Sequence, residues 1–494
     1  MTVSRAPNDG RLLPERPALL ALVLIAGCAR PLFTVGPDYV PPQPGTPDAW
    51  HQELTRGLAE GNADLQTWWT TLEDPVLGDL ISRARQGNLS LKEAAARVWE
   101  ARARVGIAKG EWFPDANAEG VYERGRLSEG TSEQAPSGRK RTDDSYSVGV
   151  DATWEIDLWG RISRSVESAH AELTASIEDY RDVTVLLLAE VASNYIDARS
   201  LQARIRYANA NAEAQRATVD LTQDRLDAGL VPELDARQAE SNLASTESAI
   251  PILRIRLAEA IHRLGVLLGE PPGALHDLLG EPAPTPRPPD NVLVGLPADL
   301  VRQRPDVRRA ERLLAAQTAR IGIATADLYP RFSLTGTFAF EATGVDLFDA
   351  GNRTWGFGPS MRWNLFDGGR VRSAIRVEDA LTQQLFFGYE QTLLLAMEDA
   401  ENAMMGYVEE SARRDALERA VAATRKSVEL VETLYKTGLT DFQNVLDTQR
   451  TLAQREDELA ESEGTVTLNL IRIYRALGGG WAPGKVGKSN SEFK

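Results

Sequence analysis

Cysteine is almost missing: Cys28 is the only one among 494 residues. A lone thiol excludes an intrachain disulfide framework and any multi-thiolate metal site. Histidine is nearly as scarce, and His51, His170, His262 and His276 show no spacing with carboxylates that would hold a metal. Positive charge is in deficit, and a net charge of −16 repels a polyanion, so no nucleic acid partner is expected. No run reaches the ~18 consecutive apolar residues of a membrane-spanning helix. A chain of this kind crosses a bilayer only as a β-barrel. Carboxylates are plentiful, yet no pair stands out as a general acid and base. "GGWAPGK" from Gly479 departs from a phosphate loop, because Val486 follows Lys485 and a helix precedes it. Neither an enzyme nor a bound cofactor is expected.

What is present begins at the one thiol. In "RPALLALVLIAGCARP", Arg11 and Arg16 precede an apolar run from Ala18 to Ala26, too short to span a membrane and typical of a secretory signal. "LIAGC" resembles the lipobox of bacterial lipoproteins. It implies a signal peptide at residues 1–27 and a diacylglycerol and N-palmitoyl anchor on Cys28. Residues 28–74 would then form a lipidated, extended N-terminal segment.

The rest of the chain repeats itself. "GIAKGEWFPDANAEGVY" from Gly106 aligns without gaps on "GIATADLYPRFSLTGTF" from Gly322. Trp154 then pairs with Trp363 and Gly229 with Gly438, both at one common separation, and the change of register falls in the polar stretch before Ser145. The first repeat, 75–268, reads as a helix to about 109, strands at 114–124 and 145–158, a long helix at 161–228 and a return helix at 233–268. The second, 298–477, reads as a helix, strands at 331–341 and 354–366, a long helix at 371–437 and a return helix at 441–477. A proline-rich linker, 269–297, joins them, and a tail, 478–494, follows.

The stretch 161–228 holds no Gly or Pro, so its helix extends on the order of 100 Å. Apolar residues such as Leu187, Val191, Tyr195 and Ala198 recur along it at spacings of mostly three and four, a coiled-coil seam. Gly229 and Gly438 stop the two long helices. The helix before the strands and the return helix together match the long one, which predicts a long helical cylinder with strands at one end and the glycine turns at the other.

The strands carry a two-faced code. In "SVGVDATWEIDLWG" from Ser147, Val150, Trp154 and Ile156 alternate with Asp151, Glu155 and Asp157. "FSLTGTFAF" and "WGFGPSMRWNL" repeat the alternation with aromatic residues. Apolar outside and polar inside is the pattern of membrane barrels, which puts Asp151, Glu155 and Asp157 on a lumen wall. Four strands cannot close a barrel, and an open edge in lipid would strand backbone groups. Two copies would give eight strands around side chains; three would give twelve and a channel, and three is the expectation.

These residues resemble the outer membrane efflux channel family, the TolC-like and OprM-like proteins, in its lipoprotein branch. The carriers are the lipobox, "VGPDYVPP" from Val35, "WWTTLEDPVLGDLI" from Trp68, "LPADLVRQRPDVRRAERLLAAQTARIGIATADLYPRFSLTG" from Leu296, "WNLFDGG" from Trp363 and "GLTDFQNVLDTQRTL" from Gly438. The resemblance implies an α+β membrane protein: a homotrimeric twelve-stranded barrel in the outer membrane, continuous with an α-helical periplasmic tunnel. It implies a lipid-anchored passive exit duct for drugs or other small molecules. Its partners would be a periplasmic adaptor and a proton-driven inner membrane pump of the resistance, nodulation and division class.

Carried over by position, the periplasmic aperture residues are Gln443, Asn444 and Asp447 in the second half and Leu234 and Asp235 in the first. Tyr435 and Asp447 match the family's gating network, and no basic residue stands at Thr440. Two other readings share much of this architecture: the exit duct of a type I protein secretion system, and a lipid-anchored periplasmic scaffold.

Overall fold

The computed structural model describes residues 33–43, 45–61, 64–126, 142–344 and 346–482. Cys28, the signal segment, most of the polar loop after Arg126 and the tail from residue 483 lie outside the described residues.

In chain order the elements are β1 (Leu58–Glu60), α1 (Pro75–Gly87), α2 (Leu89–Gly110), β2 (Asp115–Arg126), β3 (Thr142–Ile156), α3 (Arg161–Asp227) and α4 (Glu233–Leu268). There follow α5 (His276–Leu279), β4 (Val292–Val294), α6 (Pro297–Gln303), α7 (Pro305–Ala326), β5 (Arg331–Ala342), β6 (Arg353–Arg362), α8 (Arg370–Lys436) and α9 (Phe442–Ala476). The long helices α3 and α8 are each 67 residues. No described helix is long and apolar enough to cross a membrane. The chain divides into two compact units.

The first unit holds the sheet. Its strands run β2-β3-β5-β6, all antiparallel, with β2 and β6 at open edges. Cross-strand partners share a face. Val148 lies opposite Phe340 and Val150 opposite Phe338, which in turn faces Trp355. On the other face Asp151 lies beside Asn117 and Thr337, and Glu155 beside Ser333, which faces Ser360. The apolar face is bare: Trp355 is 75% and Phe357 76% exposed.

β3 ends at Ile156, so Asp157 lies beyond the strand. Its carboxylate accepts from the backbone N–H of Ile162 at 3.2 Å and of Ser163 at 2.9 Å, an N-terminal anchor for α3. β6 likewise stops at Arg362, leaving Trp363 and Leu365 outside the sheet. Gly160 and Gly369, just before the two long helices, have φ of +80° and +86°, a left-handed turn that side chains resist. Trp159 stacks between Phe33 and Tyr329, with centroids 6.1 and 4.8 Å away.

The second unit holds the main core. Trp68, Leu77, Leu80, Leu188, Ile196, Leu264 and Leu268 are almost fully buried there. α3 buries Leu188, Ala192 and Ile196 as well as the seam residues Leu187, Val191 and Tyr195. A single coiled-coil stripe is too narrow for that, because this stretch has neighbours on more than one side.

The helix expected from 75 to 109 breaks at Asn88. Its amide donates to Leu267 O at 2.8 Å and its Oδ1 accepts from Leu91 N at 2.8 Å, so it ends α1 and starts α2. The linker 269–297 is also more ordered than its prolines suggest, since β4 pairs in parallel with β1. The tail begins inside the core, where Gly480 N–H donates to Leu65 O at 2.7 Å and the Trp481 ring receives Arg181 and Arg308.

Candidate functional site

Both helical hairpins of the second unit reverse through the same device. Gly229 N–H donates to Leu226 O and Leu230 N–H to Arg225 O; Gly438 N–H donates to Tyr435 O and Leu439 N–H to Leu434 O. These are paired Schellman closures, with φ of +74° at each glycine. Nothing lies within 4 Å of where a Cβ would stand at either position, so the dihedral angle and not space demands glycine. Leu230 and Leu439 follow the glycines and stand 67% and 74% exposed.

The first turn of α9 separates two faces. Phe442, Val445 and Leu446 are buried with Tyr435 and Ala239. Gln443, Asn444 and Asp447 share the exposed face. Gln443 Nε2 donates to Asp447 Oδ1 at 3.0 Å, and Asn444 Nδ2 donates to Thr440 Oγ1 at 2.9 Å. Leu234 is exposed on α4 and joins neither group, while Asp235 is half-buried.

Tyr435 joins the two hairpins through Arg225, a residue that sequence reasoning missed. The guanidinium Nη1 donates to Tyr435 O at 2.6 Å and the group lies 4.7 Å from the Tyr435 ring centre. Phe442 packs on the same ring at 5.4 Å. Tyr435 is buried, and its hydroxyl and Arg225 Nε have no hydrogen-bond partner among the described residues. Burial, reinforced by the charge of Asp441 and opposed by Arg225, raises the pKa of Asp235 above the usual carboxylate value. Burial also raises that of Tyr435, against the influence of Arg225. A basic residue in the last turn of a helix is common, so Arg225 gave no distinctive signal.

The structure therefore brings Tyr435, Asp235 and Arg225 within electrostatic range and groups Gln443, Asn444 and Asp447 separately. Elsewhere, Asp151 stays on the polar face of the sheet. Glu155 pairs with Arg161 at 2.8 Å, and Asp157 caps α3. Among the described residues no group of His, Cys, Asp or Glu could hold a metal ion.

The family model for outer membrane efflux proteins matches residues 80–270 and 296–479. The chain belongs to the outer membrane efflux protein family. This efflux protein is 31% identical over 468 residues to nodulation protein T of Rhizobium leguminosarum bv. trifolii, covering 93% of this chain and 96% of the relative. It is 31% identical over 474 residues to the pyoverdine export outer membrane protein OpmQ of Pseudomonas putida, covering 95% and 98%. Among solved structures, the outer-membrane channel OprN matches with a TM-score of 0.83 at 35% identity, over 90% of this chain and 99% of that one. CusC matches with a TM-score of 0.80 at 26% identity, over 90% and 100%. The efflux protein is a transport component of the outer membrane with a periplasmic extension, not an enzyme.

Proposed function

We propose that three copies of this efflux protein close a twelve-stranded barrel and enclose one continuous exit duct. The observation that carries this reading is the open four-stranded sheet, apolar and bare on one face, polar on the other, with unpaired edges at β2 and β6. Edges cannot face lipid, and four strands cannot close on themselves. Edge pairing of β2 on one copy with β6 on the next satisfies both constraints. Asp151 and its neighbours then face the lumen, and Val150, Trp154 and Trp355 face lipid.

In this reading the duct is the outer membrane part of a tripartite pump. A periplasmic adaptor and an inner membrane pump of the resistance, nodulation and division class feed it with drugs or other small molecules. Cys28 carries a diacylglycerol and N-palmitoyl anchor. The two glycine turns form the periplasmic aperture, with Gln443, Asn444 and Asp447 around the axis and Leu234 and Asp235 beside them. Three copies of Asp447 attract cations and repel one another. Opening parts the two hairpins of each copy and breaks the Arg225–Tyr435 contact.

The test is a strain lacking the gene, complemented with the wild-type chain or with one whose β6 edge is blocked by Phe357→Pro, at a position whose N–H faces away from β5. Restored drug resistance and ion conductance with the wild type alone supports the reading. Full activity of the edge-blocked chain counts against it.

A further inference from the structure

A cavity of ≈ 430 Å³ lies between α3, α4 and α9, away from both turns. That volume falls within the range of about 300–1,000 Å³ typical of small-molecule sites. Ala208, Ala249, Leu253 and Ala453 supply apolar walls, with Ile252 at the opening. Several of its polar groups are already engaged. Arg204 holds Asp457 through two bonds of 2.7 and 2.8 Å, Asn211 donates to Glu456 at 2.9 Å, and Arg450 donates to Asn242 at 2.9 Å.

Two of the other polar groups that line it stand at opposite ends. Gln215 is only 3% exposed, lines the cavity, and its Oε1 has no hydrogen-bond partner among the described residues. Arg256 stands exposed at the rim, where this cavity adjoins a second of ≈ 550 Å³ that Arg204 and Arg256 also line. Arg256 and Arg204 therefore mark one end. Gln215 lies about 16 Å further along α3 at 1.5 Å per residue.

We propose that this cavity binds an elongated amphiphile, an apolar chain with a carboxylate at one end and a hydroxyl at the other. The carboxylate meets the guanidinium of Arg256, which has no ion pair among the described residues. The chain lies along Leu253 and the three alanines, and the hydroxyl reaches the Gln215 amide. A hydroxyl both donates and accepts, so it satisfies that amide in either orientation of its oxygen and nitrogen. A purely apolar ligand would leave the buried amide unmatched. A compact anion would reach only one of the two ends.

The probe is 12-hydroxydodecanoate, whose extended chain is about as long as the ~16 Å between the two ends. Dodecanoate is the control without the distal hydroxyl. Each is titrated calorimetrically into the full chain in lipid nanodiscs, with empty nanodiscs subtracted. Saturable binding of one molecule per chain is expected, about fivefold tighter for the hydroxylated probe. Gln215→Leu should erase that preference, and Arg256→Ala should weaken both probes by about threefold, as for an exposed ion pair. Ile252→Glu, at a side chain 55% exposed, gives a further variant that tolerates folding, and it should abolish binding. Unchanged helical circular dichroism establishes that each variant is folded. Binding no greater than that of empty nanodiscs overturns the proposal. So does a hydroxyl preference that survives Gln215→Leu, or binding indifferent to both Arg256→Ala and Ile252→Glu.

Discussion

Replacing Arg225 by alanine removes the contact that ties the two hairpins of one chain together beside their turns, one of several between them. Its guanidinium bonds the Tyr435 carbonyl at 2.6 Å and lies 4.7 Å from the ring centre. A hydrogen bond from a charged donor contributes about 1.5–3 kcal/mol, and a partly buried cation–π contact adds about 1 kcal/mol. If parting the hairpins breaks this contact, its loss destabilises the closed aperture by about 2–4 kcal/mol per chain. That moves the balance between closed and open by roughly 30- to 1,000-fold for each contact. Single-channel recording in planar bilayers reads it as open probability at fixed voltage. Arg225→Ala should be open far more often than wild type. Arg225→Lys, which keeps the charge but loses the planar fork and ring stacking, should fall between them. An Arg225→Ala channel of native subunit number with wild-type open probability refutes the reasoning.

Three further outcomes follow from the same geometry. Asp447→Ala should lower the cation preference of the channel, seen as a reversal potential closer to zero in a potassium chloride gradient. Gly438→Ala forces a side chain into φ +74° with no clash to relieve, so it should cost about 1–2 kcal/mol and lower the midpoint of thermal unfolding, with Gly438→Asn milder. Burial first, and then the charge of Asp306, pushes Asp182 up to about 6 from its ordinary 3.8. The folded chain then holds a proton that the unfolded chain has already released. Stability should therefore fall as pH rises through that window, by up to about 1.4 kcal/mol per pH unit, and level off above it. Asp182→Asn should remove that slope from the unfolding midpoints.

Period and punctuation carried much of the architecture. The Gly- and Pro-free stretch after Arg161 is a helix of 67 residues, and the alternation around Trp154 is a strand with an apolar and a polar face. Local competition decided what the sequence left hidden. Asp157 continues the alternation in sequence, but the unpaired N–H groups at the start of α3 claim its carboxylate. Asn88 reads as an ordinary polar helix residue until its amide meets the Leu267 carbonyl across the fold. Of the proposed aperture residues, Gln443, Asn444 and Asp447 follow from the family resemblance, and they share one exposed face of α9. Arg225 does not follow from the sequence, because its partner lies 210 residues away and only the tertiary fold brings them together.

On the proposed reading, the open sheet closes when several copies assemble into a channel. Native mass spectrometry of the protein extracted from outer membranes tests it most directly. A complex of three chains is the predicted result, since twelve strands are the smallest multiple of four that leaves an aqueous lumen. A single chain or a pair as the sole species would contradict it, because neither four nor eight strands can enclose the duct.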